Sequence, residues 1–340
     1  MDLNKVYGGK VLCVGDLHIS DVYTGRHKDY LANCFTVLRQ ITDKIKEIRP
    51  SAVVLAGDII GWSETNIKSR EVLSLFCKVL MEWNSVCKVY AVRGNHDVKG
   101  YPDFNLLCTL CLIVDSSACN GYFDYYAKKG DALPEVRFHL VDYGKEHQTL
   151  ELAPQGVSNV VVGHNNYEIS GKTTWYSGGD GIELGNLENF NGVELVISGH
   201  IHNPSPQFIS TTMPNGAPCN LFYLGCPTRP VADENNYEYC WYLILGYNAD
   251  SGQTDILQER MDLTPVKDLF IDADKVISEE TEDEMAEKIR KEHLSETLQE
   301  IISYEIVAGD YEKQIDAIPS ASENAKEVAK SYIRKVMGTE

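Results

Sequence analysis

Hydrophobic positions in the first hundred residues alternate between short continuous runs and longer stretches at helical spacing. The apolar runs at Lys10–Gly15, Ala52–Ala56 and Lys88–Val92 predict three buried strands. Apolar residues recur every three to four positions over Tyr30–Ile48 and over about Ile67–Trp83, which predicts a helix in each gap between strands. Two strand–helix–strand units of this kind indicate a parallel or mixed sheet with its functional loops at the carboxyl ends of the strands.

The pattern changes after about residue 110, where short apolar runs are separated by turn residues. These runs lie at Leu112–Val114, Val136–Val141, Asn159–Val162, Glu194–Ile197, Leu221–Leu224 and Tyr239–Leu245. Strands this short with turns between them predict a second, more antiparallel sheet.

The last quarter of the chain is acidic and amphipathic. Residues 256–340 hold 21 acidic and 11 basic side chains, and so carry about half of the formal net charge of −19. Apolar residues at helical spacing predict two amphipathic helices there, which either pack on the body or dock on a partner. We therefore divide the chain into a core at 1–260, a linker or reduced capping segment at 261–280, and an acidic helical tail for partner docking at 281–340.

Composition excludes some classes of protein. A chain of 340 residues that is 43% hydrophobic is typical of globular domains rather than of disorder. The net charge argues against a surface that binds a polyanion everywhere, but it permits one phosphate site charged by metal ions. No apolar run approaches the roughly 18 residues of a membrane span, and the first residues lack a signal sequence. The ten cysteines are spread through a large chain, so we expect reduced thiols, no membrane and a cytoplasmic protein.

Five short polar motifs each follow an apolar run and carry the chemistry of the chain. They are Asp16-Leu-His18, Gly57-Asp58, Gly94-Asn95-His96-Asp97, Gly163-His164 and Gly199-His200-Ile-His202. Glycines beside such polar residues let the backbone turn sharply and leave room for a metal and a phosphate.

The residue types in these motifs are those of a two-metal site. Residues i and i+2 of an extended segment point to one face, so Asp16 can act with His18, and His200 with His202. Carboxylate, imidazole and amide oxygen together suit Mn²⁺, Fe or Zn²⁺, whereas Mg²⁺ and Ca²⁺ prefer oxygen alone. The motifs contain no cysteine, which argues against a structural zinc site. We expect two divalent ions, with Mn²⁺ favoured and with Mg²⁺, Fe and Zn²⁺ as alternatives.

The ordered series DLH, GD, GNHD, GH and GHIH resembles the calcineurin-like metallophosphoesterase superfamily over about residues 10–230. The resemblance implies a four-layer α/β/β/α sandwich, here with a C-terminal helical extension, and a dinuclear centre at the carboxyl ends of the strands. It implies that Asp58 bridges two metals. The other ligands would be Asp16, His18 and His202 for one metal, and Asn95, His164 and His200 for the other.

The resemblance also implies two catalytic residues. His96 would stand beside the leaving-group oxygen without binding a metal, and Asp97 would orient it. Other histidines, His27, His139, His147 and His293, lack a motif, and we expect surface roles for them. The 19 tyrosines include candidates for stacking on nucleic-acid bases, but a sequence does not show which of them face the site.

Further segments resemble those of the SbcD-type double-strand-break-repair nuclease subunits. In size the chain resembles the phage-encoded members of that group. Tyr223–Thr228 (YLGCPT) resembles their Tyr-x-Gly-Ser/Thr-Pro segment, and Gly178–Leu187 resembles a loop that precedes it. The helical C-terminus resembles the tail by which such subunits bind an SMC-like coiled-coil ATPase. The resemblance implies a DNA exonuclease or endonuclease, the nuclease subunit of an SbcCD-like repair and recombination complex, with DNA and the ATPase as partners and a homodimer as a further assembly.

Two departures leave alternatives open. Ile19 stands where SbcD-type enzymes usually have Leu followed by Gly, and only 262–277 resembles the start of their DNA-binding capping domain. The same motifs serve phosphatases and cyclic-nucleotide phosphodiesterases, so a small-molecule or cyclic-nucleotide phosphodiesterase or phosphatase is the competing prediction. A scaffold that keeps the fold and binds a partner is the non-enzymatic alternative.

Overall fold

The computed structural model describes residues 3–20, 30–61, 70–99, 101–169, 172, 181–203, 205, 207–228, 239–248, 253–263 and 330. The strands are β1 (Lys5–Tyr7), β2 (Lys10–Val14), β3 (Ala52–Ala56), β4 (Lys88–Val92), β5 (Val114–Asp115), β6 (Tyr122–Tyr126), β7 (Val136–Val141), β8 (Ser158–Gly163), β9 (Tyr167–Glu168), β10 (Ile182–Glu183), β11 (Leu195–Ser198), β12 (Ile209–Thr212), β13 (Pro218–Tyr223), β14 (Tyr239–Asn248) and β15 (Gln253–Asp262). The helices are α1 (Tyr30–Ile48), α2 (Arg70–Val86), α3 (Asn95–Lys99) and α4 (Tyr101–Thr109), with 3₁₀ turns at Leu184–Asn186 and Glu188–Phe190.

The strands of the described residues form two large sheets that pack face to face. One sheet has six strands in the order β15-β14-β2-β3-β4-β5, and the other has seven in the order β1-β6-β7-β8-β11-β13-β12. Strands β9 and β10 form a separate parallel pair. The mixed α/β sandwich predicted from the sequence is confirmed in this part of the chain.

The side chains of β2 show how the layers form. Successive residues of a strand face opposite sides, so Leu12 and Val14 pack against α1 and α2, while Val11 and Cys13 face the other sheet. Both faces of this strand are covered, which is why it reads as a continuous apolar run. Strand β3 pairs in parallel with β2 after the α1 crossover, and β4 pairs in parallel with β3 after the α2 crossover.

An aromatic stack joins the two sheets. Phe123 of β6 lies between Tyr90 of β4 and Phe138 of β7, with ring centroids 4.0 Å and 4.9 Å away. All three rings are fully buried. This core fixes the spacing between the sheets, and hence between the strand ends that carry the polar motifs.

The seven-stranded sheet corrects one prediction. Strand β8 pairs in parallel with both β7 and β11, and β11 pairs in parallel with β13, so the prediction of a more antiparallel second sheet is wrong. Only the pairs β6–β7 and β12–β13 of that sheet are antiparallel in the described residues. The described parts of the connections from β7 to β8, from β8 to β11 and from β11 to β13 contain loops, short strands and 3₁₀ turns but no α-helix, so no helical periodicity marked them as crossovers.

The outer face of the seven-stranded sheet is covered by these connections. Phe190 lies in the second 3₁₀ turn, and Leu187 lies just before that turn. Both residues pack with Tyr167 on Val161 and Val196 of the sheet. Thus the fourth layer, in the described part of the chain, consists of short turns. Strand β15 extends two residues into the predicted linker, to Asp262. The linker after Leu263 and the acidic tail, including both predicted C-terminal helices, lie outside the described residues except for residue 330, which is helical.

No described helix is both long and apolar enough to cross a bilayer.

Candidate metal centre

The loops that follow β2 and β3 continue the parallel pairing of the two strands. The amide of Asp16 donates to the carbonyl of Gly57 at 3.2 Å, and the amide of His18 donates to the carbonyl of Asp58 at 2.8 Å. Beyond them, Ile19 and Ile60 form a parallel bridge. These bonds hold the first two motifs side by side at the carboxyl edge of the six-stranded sheet.

Four candidate ligands have left-handed backbone conformations. The φ angles of Asp16, His18, Asp58 and His200 are +50°, +45°, +48° and +79°, and only three other described non-glycine residues have positive φ. Such conformations are unfavourable for residues with a Cβ and persist where the surroundings enforce them. The concentration of strain in the motifs indicates that side-chain placement there is under functional constraint.

Backbone carbonyl groups fix the ring orientation of two buried histidines. His164 Nδ1 lies 2.7 Å from the carbonyl oxygen of Ala56, and His18 Nδ1 lies 3.0 Å from that of Gly61. A carbonyl oxygen can only accept, so each Nδ1 carries a hydrogen and donates it. The other nitrogen, Nε2, therefore points into the site with its lone pair in the neutral ring.

Asp58 lies at the centre of the site. Its Oδ1 accepts a hydrogen bond of 2.9 Å from the amide of His96. Its Oδ2 lies 3.2 Å from Nε2 of His164 and 3.8 Å from Nε2 of both His18 and His96. One carboxylate thus faces histidines from three different motifs, as a bridging ligand must.

A second group of donors surrounds the side-chain amide of Asn95. Its Oδ1 lies 3.1 Å from Nε2 of His164 and 3.1 Å from Nδ1 of His200. On the other side of Asp58, Nε2 of His202 lies 3.1 Å from Nε2 of His18 and 3.8 Å from Oδ1 of Asp16. The two sets implied by the resemblance are therefore brought together as two separate clusters with Asp58 between them.

Asp16 also fixes the last motif. Both of its carboxylate oxygens accept from the amide of His200, at 3.0 Å and 3.2 Å. This contact joins residues 184 positions apart in the chain. The turn that presents His200 and His202 is thereby held against the end of β2.

Burial sets most of the protonation states. Burial lowers the pKa of His18 to about 3, and burial together with His164 lowers that of His200 to about 4, so both rings are neutral at pH 7. Burial opposes a proton on His164, yet Asp58 and Asp16 raise its pKa to about 9. In turn, His164 outweighs the effect of burial on Asp58 and holds the pKa of that carboxyl below its ordinary value. Burial raises the pKa of Asp16 to about 6.

This arrangement fits divalent cations. Carboxylate oxygens, an amide oxygen and the lone pairs of the neutral rings converge within contact distance, and such groups repel one another unless a positive charge lies between them. Three overlapping groups have ligand atoms within 4.8 Å of one another: Asp16 with His18 and His202, Asp58 with His164 and His200, and His18 with Asp58 and His96. None of these groups contains a cysteine, and the nine described cysteines are free.

The structure places the two predicted catalytic residues differently from each other. The side chain of His96 is 17% exposed and borders the site, whereas Asp97 is fully buried. The Asp97 carboxylate accepts from the amides of Ile59, Ile60 and Gly94 at 2.9 to 3.1 Å. These bonds tie the third motif to the loop after β3. Orientation of the His96 ring by Asp97 stays a prediction.

Several supporting residues lie outside the motifs. The hydroxyl of Thr228 donates to the carbonyl of Leu17 at 2.9 Å, and that of Tyr30 donates to the carbonyl of His18 at 3.0 Å. The thiol of Cys226 lies 3.0 Å from the carbonyl of Asp16. Only the likeness of the Tyr223–Thr228 segment pointed to part of this group, because backbone carbonyls leave no mark in a sequence.

The histidines without a motif divide into two kinds. His147 is exposed, as expected, but the expectation of a surface role for His139 is wrong. His139 is buried beneath the 142–157 loop, and its Nε2 donates to Oδ1 of Asn159 at 2.9 Å. Burial lowers its pKa, so it is a neutral packing residue. His27 and His293 lie outside the described residues.

Fold and donor set together define a metal-dependent hydrolase of the two-sheet α/β class. A family model described as calcineurin-like phosphoesterase matches residues 9–204, which contain every one of the five motifs. The chain belongs to this family.

Three solved structures are similar to the chain. The calcineurin-like phosphoesterase YfkN from Bacillus subtilis has 14% identity and a TM-score of 0.41, over 86% of this chain and 98% of that one. A dimetal phosphatase from Danio rerio has 13% identity and a TM-score of 0.43, over 75% and 99%. A putative 5′-nucleotidase from Staphylococcus aureus has 11% identity and a TM-score of 0.39, over 83% and 58%.

Gly199 provides a test of the site's tight packing. A Cβ at this position would overlap the carbonyl of Ala56 and lie 2.8 Å from Nδ1 of His164 and 3.0 Å from Oδ2 of Asp16. Because these groups orient the ligands, we expect Gly199→Ala to weaken metal binding by about 10- to 100-fold, as measured by titration of the chelator-treated protein.

Gly156 is the matched control for that substitution. It has a φ of +89° and open space around its missing Cβ, so Gly156→Ala introduces backbone strain without a clash. It should reduce stability and leave the metal affinity unchanged. Equal affinity in the Gly199→Ala protein and the wild type would show that the close contacts around Gly199 do not position the ligands.

Proposed function

We propose that this phosphoesterase is a metal-dependent DNA nuclease and the nuclease subunit of an SbcCD-like complex. Asp16, His18 and His202 would hold one divalent ion. Asn95, His164 and His200 would hold the other, and Asp58 would contact both. Mn²⁺ is the ion that we favour for this mixture of nitrogen and oxygen donors.

Two bound divalent ions would supply positive charge to the phosphate oxygens and lower the pKa of a nearby water. The protein's own residues orient these groups. Ala56 and Gly61 hold the rings of His164 and His18 through their carbonyl groups, so the donor nitrogens need little rearrangement during the reaction. In the hydrolysis, the oxygen of water bonds to phosphorus and the bond to the leaving oxygen breaks.

His96 is the residue that we assign to the leaving group. Its amide bond to Asp58 fixes its backbone at the centre of the site, and its ring lies edge-on to that of His18 with centroids 5.1 Å apart. Unlike the fully buried His18 and His164, it is partly open to solvent. It can therefore hold a proton at the border of the site and donate it to the departing oxygen, or hydrogen-bond that oxygen.

One observation carries the choice of a nuclease over other phosphoesterases. The Tyr223–Thr228 segment, whose sequence resembles that of SbcD-type enzymes, packs directly on the metal loops. Besides the contacts of Cys226 and Thr228 with the first motif, the amide of Cys226 donates to the carbonyl of His202 at 3.1 Å. The segment thus contacts both motifs that supply the ligand set of Asp16, His18 and His202. Its sequence likeness to SbcD-type enzymes therefore lies at the metal site and not on a remote surface.

The net charge of −19 favours the competing function, a small-molecule or cyclic-nucleotide phosphodiesterase. A nuclease of this charge must obtain its phosphate affinity from the metals or from a partner, since it has few cations to spare for a long duplex. For this reason we propose an SMC-like coiled-coil ATPase as the partner, bound through the C-terminal helices.

His96→Ala is the first test. If His96 acts on the leaving group and does not bind a metal, the variant should keep its bound metal while turnover of a phosphodiester falls by about 10²- to 10⁴-fold. Elemental analysis and steady-state rates measure the two quantities. His147→Ala, which removes an exposed histidine outside the motifs, should change neither. Loss of a metal from the His96→Ala protein would instead make His96 a ligand.

A substrate panel separates the two candidate functions. We expect Mn²⁺-dependent degradation of linear single-stranded or duplex DNA, and loss of that activity after treatment with a chelator. Cyclic nucleotides and a generic phosphodiester, assayed at the same metal concentration, are the comparison. Hydrolysis of the small esters with none of any DNA, even with the ATPase supplied, would overturn the nuclease proposal.

Truncation tests the proposed partner. A chain that ends at Tyr311 lacks the last predicted amphipathic helix, so it should no longer co-purify with the ATPase while its basal Mn²⁺-dependent hydrolysis persists. The full-length His96→Ala protein is the converse control, because it should bind the ATPase without turning over substrate. Unchanged ATPase binding by the truncated chain would show that the tail is not the docking segment.

A further inference from the structure

One aromatic side chain that belongs to none of the five motifs stands among the candidate ligands. The ring centroid of Tyr143 lies 6.0 Å from that of His200 and 6.4 Å from that of His164. Its side chain is nevertheless 42% exposed. A tyrosine that merely filled the core would be buried, so this ring combines contact with the metal centre and access to solvent.

The backbone of Tyr143 is tied to two strand ends that carry ligands. Its amide donates to the carbonyl of Arg93 at 2.8 Å, and the amide of Arg93 donates to Oδ1 of Asp142 at 2.9 Å. This reciprocal pair joins Tyr143 to the residues just before Asn95. On the other side, the amide of Gly144 donates to Oδ1 of Asn165, the residue after His164, at 3.4 Å.

Neighbouring side chains hold the same loop in place. The Asp142 carboxylate accepts from the hydroxyl of Ser116 through Oδ2 at 2.7 Å, in addition to its bond from Arg93. The guanidinium of Arg93 is itself fixed by Asp115 and Asn105, at 3.1 Å and 2.9 Å. The backbone of Tyr143 is therefore held by the same framework that holds the metal centre, and its ring lies against those of His164 and His200.

Within the described part of the chain, the phenol contributes a flat face and no hydrogen bond. Among the described residues, no hydrogen-bond partner is found for the Tyr143 hydroxyl, whereas the buried Tyr223 and Tyr90 donate to carbonyl groups at 2.6 and 2.7 Å. What Tyr143 offers at the border of the site is thus an aromatic surface of fixed position. Every nucleobase can stack on such a surface, whatever its sequence.

We propose that Tyr143 is the stacking platform for the base next to the scissile phosphate. This inference rests on the proposed nuclease function and sharpens it. A base that stacks on a protein ring must leave its neighbours in the strand, so the preferred substrate is a single-stranded or frayed DNA end rather than intact duplex. Stacking also supplies affinity that needs no positive charge, which suits a chain of net charge −19.

The test compares substrates with and without a base. The probes are the dinucleotide thymidylyl-thymidine and its analogues in which either base is replaced by an abasic tetrahydrofuran unit, hydrolysed in the presence of Mn²⁺. Base–aromatic stacking typically changes binding by about 5- to 150-fold. We expect the wild type to prefer the base-bearing dinucleotide over the abasic analogues. Tyr143→Ala should lower that preference about tenfold, through a higher KM for the base-bearing dinucleotide.

Three further variants and one measurement separate stacking from other roles. Tyr143→Phe and Tyr143→Trp keep an aromatic face and should keep the preference. Tyr7→Ala removes another half-exposed tyrosine, one that packs against Tyr126 on β6, and should leave it unchanged. Elemental analysis of the Tyr143→Ala protein should show full metal content.

The possible failures are distinct. If Tyr143→Ala slows base-bearing and abasic substrates equally, or if Tyr143→Phe loses as much of the preference as Tyr143→Ala, the stacking platform is excluded while the nuclease proposal stands. If the wild type cleaves neither the dinucleotide nor single-stranded DNA but hydrolyses small esters, the nuclease proposal fails, and the platform fails with it.

Discussion

The site depends on two hydrogen bonds from imidazole rings to backbone carbonyl groups, those of His164 to Ala56 and of His18 to Gly61. Each bond keeps the hydrogen on Nδ1 and leaves Nε2 facing Asp58. The carbonyls come from strand β3 and the loop after it, so the secondary structure itself selects the tautomer. If either ring flipped, its N–H would point into the site where a metal-binding nitrogen should be. That cluster would then lack one of its ligand atoms.

Burial of the site makes the charged forms of most of its side chains unfavourable, and it leaves neutral histidine nitrogens available to bind cations. Burial makes protonated His18 and His200 unfavourable, and it would make the Asp16 carboxylate unfavourable as well. At Asp58 and His164 opposite charges outweigh this cost. Two divalent ions would relieve the whole cluster at once, which explains why a protein retains so many buried polar groups beside four strained backbone positions.

The sequence pattern predicted best those helices and strands in which the spacing of apolar residues is regular from one end to the other. Helix α1 and strands β3, β4 and β7 have the predicted bounds, because each is bounded by turn residues and faces an apolar layer. The parallel crossovers of the second sheet could not be predicted, since their described parts contain no α-helix. The motif residues converge, but not through the extended geometry expected for Asp16 with His18 and for His200 with His202, since Asp16, His18 and His200 have left-handed backbones. Tyr143 did not stand out among 19 tyrosines, because its position comes from hydrogen bonds of the 142–144 loop with Arg93 and Asn165, which no local pattern encodes.

The hydrogen bond between the Asp16 carboxylate and the amide of His200 spans 184 residues of the chain. Neither cluster can therefore form in a partly folded intermediate that contains only the first sheet. Contacts of such high sequence separation close late, since the entropy of loop closure must first be overcome. Metal ions that bind only the folded core would shift the folding equilibrium towards it. A protein with metal bound at this centre is therefore one in which the two sheets have packed together.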